Sequence, residues 1–207
     1  RALEPVSFEV PGDVSSAAFM IAAALLVPGA DLKIVNVGLN PTRIGFYQVL
    51  KQMGADLKIE QIDDKGEPFG VLRVKGSALK GVTIEEDIIP SLIDELPILM
   101  ILCALAKGRS EIRGARELRV KETDRIKSMV TGLQAIGANV TEREDGCVIE
   151  GVDEFKGGTV SSFDDHRTAM SFAVAGLRAK DGITVENTDC VAISYPNFER
   201  DFSRITK

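Results

Sequence analysis

The chain has 207 residues, 44% hydrophobic and 27% charged, which is enough apolar material for a substantial core and far from the composition of a disordered chain. Lys and Arg number 25 against 31 Asp and Glu; the net charge of −6 excludes the basic surplus of a sequence-independent nucleic-acid binder, although a few arginines still suffice for a small anion. The longest apolar stretches, Ala17–Pro28 and Leu96–Ala106, fall short of the ~20 residues of a bilayer span, and no signal-peptide core opens the chain, so a cytoplasmic globular protein without membrane contact is expected.

One pattern returns three times along the sequence. An alanine-rich apolar helix is predicted over Ser15–Pro28, ending at Gly29, followed by a β-branched strand at Leu32–Val37. An amphipathic helix over Ile44–Met53 stops at Gly54-Ala55, and strands Asp56–Gln61 and Val71–Val74 close the unit around a solvated, mobile Asp63–Phe69 loop. The second copy reads as helix Asp94–Lys107, strand Ser110–Arg113, helix Thr123–Ile136, then strands Asn139–Glu144 and Cys147–Gly151 about an Asp145-Gly146 hairpin turn. The third has helix Asp165–Lys180, strand Ile183–Asn187 and helix Tyr195–Ile205, with two strands fewer than its siblings.

The expected class is α/β (α+β): one domain with pseudo-threefold repeats near 6–76, 82–152 and 157–207, the third incomplete. The first helix of each copy is apolar almost all round and belongs at the centre. The second helices carry a charged face and belong outside.

Polar clusters stand where these helices begin, and helix N-termini attract phosphates and carboxylates. Pro11–Ser16 reads foremost as an N-cap. Asp94, ahead of Glu95-Leu96-Pro97, is either a cap or a functional carboxylate. Arg119–Arg125 is either a solvated helix face or an anion clamp, in which Lys121 and Arg125 stack at four-residue spacing beside Glu122 if the helix includes them. In Asp164–Arg167 the lone His166 reads as structural, and the planar fork of Arg167 suits an anion.

Cys103, Cys147 and Cys190 have no zinc-ligand spacing, and only one histidine accompanies them, so no metal site and no cofactor is expected. No Walker loop, GxSxG elbow or GxGxxG fingerprint occurs.

Together, Arg119–Arg125 (RVKETDR), Asp165-His166-Arg167, Pro11–Ser16, Asn40–Arg43, Leu92–Glu95 and Ser194-Tyr195-Pro196 closely resemble the EPSP synthase family of enolpyruvyl transferases, over about Pro5 to Phe202. The resemblance implies two similar domains of three βαβαββ units each, closing over substrate, of which this chain is like the C-terminal one. It implies transfer of the enolpyruvyl group of phosphoenolpyruvate to the 5-hydroxyl of shikimate 3-phosphate with release of phosphate. It also implies an N-terminal partner domain whose first strands complete the third unit.

Residue by residue, the resemblance makes Asp94 the proton acceptor and a shikimate 3-phosphate ligand, and Glu122 the proton donor. Lys121 becomes a shikimate 3-phosphate contact, Arg125 and Arg167 phosphoenolpyruvate contacts, and Asp165 with His166 the groups orienting Arg167. Two positions depart from the family pattern: Ile193 stands where many members have lysine, and Glu117 where some have asparagine. The alternatives are the sister transferase acting on UDP-N-acetylglucosamine, and a non-catalytic anion-binding or assembly module.

Overall fold

The computed structural model describes residues 9–63 and 66–206. The elements in order are α1 (Val14–Leu26), β1 (Asp31–Gly38), α2 (Gly45–Gln52), β2 (Asp56–Asp63), β3 (Phe69–Lys75), β4 (Thr83–Ile84), α3 (Leu96–Ala104) and β5 (Arg109–Ile112). They continue with α4 (Arg125–Ala135), β6 (Asn139–Arg143), β7 (Gly146–Glu150), β8 (Gly158–Ser161), α5 (His166–Ala175), β9 (Ile183–Glu186), α6 (Val191–Ser194) and α7 (Phe198–Ile205).

Helices α1, α3 and α5 pack on one another and form the centre. All nine residues of α3 are buried, as are twelve of the thirteen in α1. Removing one such Leu, Ile or Phe side chain from water contributes about 1.5–3 kcal/mol, which is why these helices need no polar face. The outer helices α2 and α4 each bury one side and expose the other. Helix α4 approaches α5 closely because Gly132 has no side chain; a Cβ there would collide with the Phe172 ring.

Three sheets surround this centre, ordered β1-β3-β2, β4-β5-β7-β6 and β8-β9. Strand β5 pairs antiparallel with β7 (Ser110 opposite Ile149), and β1 pairs with β3 (Leu32 opposite Val74), so the first two units match. The third sheet has two strands among the described residues.

Each helix of the centre is preceded by an element parallel to the strand that follows it: β4 beside β5, β8 beside β9, and a single bridge between Gly12 and Val37. At that bridge the Gly12 N–H donates to the Asn36 carbonyl at 2.6 Å, too close for any side chain. The leading strands went unread because two to four residues without alternation carry almost no periodic signal.

Several boundaries differ from expectation for local reasons. Helix α3 starts at Leu96, because Ile93–Glu95 forms a 3-10 turn, and it ends at Ala104, where the Lys107 N–H turns to the Leu79 carbonyl. Helix α4 starts at Arg125, since Asp124 caps it by accepting from the Lys127 N–H; Lys121 and Glu122 therefore lie ahead of it, and Lys121 does not stack on Arg125 by helical spacing.

Helix α5 gives way to a 3-10 turn at Gly176–Arg178. The expected Tyr195–Ile205 helix begins only at Phe198, beyond Pro196, as α7, and the short α6 at Val191–Ser194 lies ahead of it where no helix was expected. The β6–β7 turn sits at Glu144-Asp145, with Gly146 already paired to Arg143. Residues 64 and 65 of the Asp63–Phe69 loop lie outside the described residues.

Among the described residues no helix is long and apolar enough to cross a membrane.

Candidate functional site

The N-termini of α1, α3, α4 and α5 meet at one end of the helical centre, linked by side chains that each contributes. Four positive dipole ends thus share one region, a setting that favours anions, although Asp13, Asp124 and Asp165 already accept from the first N–H groups of α1, α4 and α5.

Arg125, 1% exposed, is the hub. Its Nε donates to Asp165 Oδ2 at 2.7 Å, its Nη1 to Asp94 Oδ1 at 3.2 Å and its Nη2 to Glu122 Oε2 at 2.5 Å. Asp165 uses its other oxygen to cap α5, accepting from the N–H groups of Arg167 (2.8 Å) and Thr168 (3.1 Å). It thus places Arg167 through the backbone while its side chain fixes Arg125.

Arg167 reaches Asp94 from the other side, with Nη2 3.6 Å from Oδ2 and Nη1 donating to the Asp94 carbonyl at 3.3 Å. Asp94 does not cap a helix; it lies between two arginines. Burial alone would raise its pKa, but Arg167, Arg125, Lys121 and Arg43 outweigh burial and hold it below the ordinary carboxylate value. It is an ionised acceptor at neutral pH. Lys121, extended in backbone and partly exposed, lies near enough for its charge to act on Asp94. His166 is buried at the start of α5, and that burial, with Arg167 beside it, lowers its pKa and keeps the ring neutral at pH 7.

Three further residues join this cluster. Ser15 Oγ donates to Glu95 Oε1 in a short contact, and Arg43 Nη2 donates to Ser15 Oγ at 3.0 Å. The capping in that region is done by Asp13, which accepts from the N–H groups of Ser15 and Ser16 and so frees the Ser15 hydroxyl. Sequence reasoning gives Ser15 only a cap and Glu95 and Arg43 no part. The available signal was the adjacent pair Asp94-Glu95 before an apolar helix, since two consecutive acids cannot both cap it.

Of the two departing positions, Glu117 lies in the 3-10 turn Arg116–Val120 and Ile193 is 81% exposed on α6. A separate apolar groove of about 710 Å³ runs between α5, α6 and α7, lined by Met170, Val185, Tyr195, Phe198 and Phe202. Among the described residues no group of three His, Cys, Asp or Glu side chains is placed to hold a metal ion.

The family model described as EPSP synthase (3-phosphoshikimate 1-carboxyvinyltransferase) matches residues 1–202. The chain belongs to the EPSP synthase family.

Within that family, it is 50% identical over 199 residues to the 3-phosphoshikimate 1-carboxyvinyltransferase of Geobacter metallireducens, covering 96% of this chain and 46% of that protein. Its identity to the Geobacter sulfurreducens enzyme of the same name is 53% over 190 residues, covering 91% and 44%. The EPSP synthase structure from Acinetobacter baumannii superposes with a TM-score of 0.91 at 46% identity, covering 95% of this chain and 46% of that one. The enolpyruvyl transferase NikO from Streptomyces tendae, at 18% identity and a TM-score of 0.71 over 95% of this chain and 43% of that one, shares the fold. The chain thus spans about half the length of the curated relatives it matches.

Proposed function

We propose that this chain is the C-terminal half of an EPSP synthase, transferring the enolpyruvyl group of phosphoenolpyruvate to the 5-hydroxyl of shikimate 3-phosphate and releasing phosphate. The observation that carries the reading is the arrangement of Asp94 and Glu122 as two carboxylates joined to one buried guanidinium, Arg125, with Arg167 on the far side of Asp94.

The reaction needs such a pair. The hydroxyl oxygen bonds to the enol carbon as it loses its proton, and the methylene carbon gains one. The bond between the enol carbon and the phosphate oxygen then breaks, phosphate leaving with the electron pair and, in the net reaction, with the hydroxyl proton, and the methyl carbon gives up a proton to restore the double bond. Asp94, ionised between its cations, is placed to take the hydroxyl proton. Glu122, 49% exposed in side chain, faces the open side and is the group to give and recover the methylene proton. Arg167 and Arg125 stabilise the carboxylate and phosphate as charge shifts, and Lys121 adds a contact to shikimate 3-phosphate.

The N-terminal half enters this reading as a partner. Among the described residues strand β9 pairs only with β8 and lacks the antiparallel partner that β1 has in β3 and β5 has in β7. The apolar groove between α5, α6 and α7 has Val185 of β9 in its wall and is open to such a partner.

The test is phosphate release from phosphoenolpyruvate and shikimate 3-phosphate, with the chain alone and with a matching N-terminal half. Activity only in the mixture, lost in Asp94→Ala and Glu122→Gln, supports the reading. An assembled mixture without activity favours the non-catalytic anion-binding module.

A further inference from the structure

We propose that Glu95 is a positioning residue of this site: it accepts the hydrogen bond of the Ser15 hydroxyl and, through Ser15, holds the Arg43 guanidinium in place near Asp94 for an anionic substrate. The inference rests on the enzymatic reading above.

A serine hydroxyl has one proton and two lone pairs. In Ser15 the proton goes to Glu95 Oε1 and one lone pair accepts Arg43 Nη2 at 3.0 Å, so the direction of the chain is Arg43 to Ser15 to Glu95. Arg43 also lies 3.6 Å from the same Oε1. Its side chain is 44% exposed, its guanidinium donates to no other group among the described residues, and its charge acts on both Asp94 and Glu95.

Glu95 itself is 1% exposed, and its second oxygen, Oε2, has no hydrogen-bond partner among the described residues. It makes no cap for α3 either. A buried acid with half its carboxyl unpaired weakens the fold, so its place is explained by what Oε1 holds. Without Glu95, Ser15 can turn its proton elsewhere and a long, half-exposed arginine regains its freedom. An arginine fixed before the substrate arrives loses less entropy on binding.

The test compares wild type with Glu95→Ala, Glu95→Gln, Arg43→Met and the Glu95→Ala/Arg43→Met double variant, in the enzyme assembled from both halves. The first readout is the order of the Arg43 side chain, from NMR relaxation of its Nε–H. It is expected to be rigid in wild type and in Glu95→Gln, whose amide oxygen still accepts from Ser15, and mobile in Glu95→Ala. Equal mobility in all three overturns the proposal.

The second readout is kinetic. In Glu95→Ala the KM for shikimate 3-phosphate is expected to rise about tenfold with kcat nearly unchanged, and the effect should vanish in the Arg43→Met background. Independent, multiplying effects of the two substitutions overturn the coupling. A rigid Arg43 in an assembly that binds no shikimate 3-phosphate leaves Glu95 as the positioning group and defeats the enzymatic reading instead.

Discussion

Arg125 and Asp165 form an ion pair closed to solvent on both sides, 2.7 Å from Nε to Oδ2, with side chains 1% and 0% exposed. Asp165 is also the cap of α5, so one carboxylate ties the start of that helix to the start of α4. The pair gives the open part of the cluster a rigid floor. Asp94 and Glu122 each bond the outer nitrogens of a guanidinium that cannot turn.

Removing the hub should therefore damage the fold as well as the chemistry. Arg125→Met leaves Asp165 as a buried charge without its partner, and a loss of about 3–5 kcal/mol is expected. Urea titration followed by circular dichroism measures it; a loss under about 1 kcal/mol would contradict the arrangement.

Asp165→Asn separates the two tasks of that residue. Asparagine still caps a helix, so α5 keeps its start, while the charge-assisted bond to Arg125 is lost at a cost of about 1–3 kcal/mol. Ser in the same position should behave alike, because it also caps. Alanine, which cannot, should cost about 1 kcal/mol more than either.

Asp94 and Glu95 are neighbours with opposite acid behaviour. For Asp94 the native pKa lies below the ordinary 3.8, so its ionised form adds stability above that value and the contribution is lost as pH falls through the lower native one. Asp94→Asn should flatten the acid limb of a plot of Tm against pH below about 4.

For Glu95 the sign reverses. Burial raises its pKa above 4.5, against the opposing pull of Ser15 and Arg43, so its contribution is fully present below pH 4.5 and is lost as pH rises through the native value. Glu95→Gln should then gain in Tm relative to wild type as pH rises from 4 to 7. A constant difference across that range would refute this.

Packing supplies a further check. Gly132→Ala places a methyl against the Phe172 ring and should cost about 1–3 kcal/mol, which Phe172→Leu in the same chain should partly restore.

Much of this was legible in the residues themselves. Helices α1 and α3 announced their burial by being apolar almost all round, and glycines at 29, 54, 108 and 137, all at positive φ, marked where elements stop. Arg125 and Arg167 were visible because their charges stand next to carboxylates at helix starts. Glu95 and Arg43 were not. Their partnership joins α1, the turn before α2 and the start of α3, and no local spacing encodes a contact between residues 52 positions apart or a serine 80 positions away. The hub role of Arg125 was hidden for the same reason, since Asp165 lies 40 residues beyond it.

The Arg178 guanidinium donates to the Leu26 carbonyl across 152 residues, tying the last central helix to the end of the first. Closing a loop of that length costs about 4 kcal/mol in chain entropy before any contact returns it. On the ribosome α1 emerges long before α5, and a helix with twelve of its thirteen residues buried has little soluble face to show without its neighbours. One flank of α1 thereby stays open until the third unit has been made, even after β1, β3 and α3 have covered the rest. Long-range contacts of this kind slow folding, and while that flank of α1 stands open its apolar surface is exposed to aggregation.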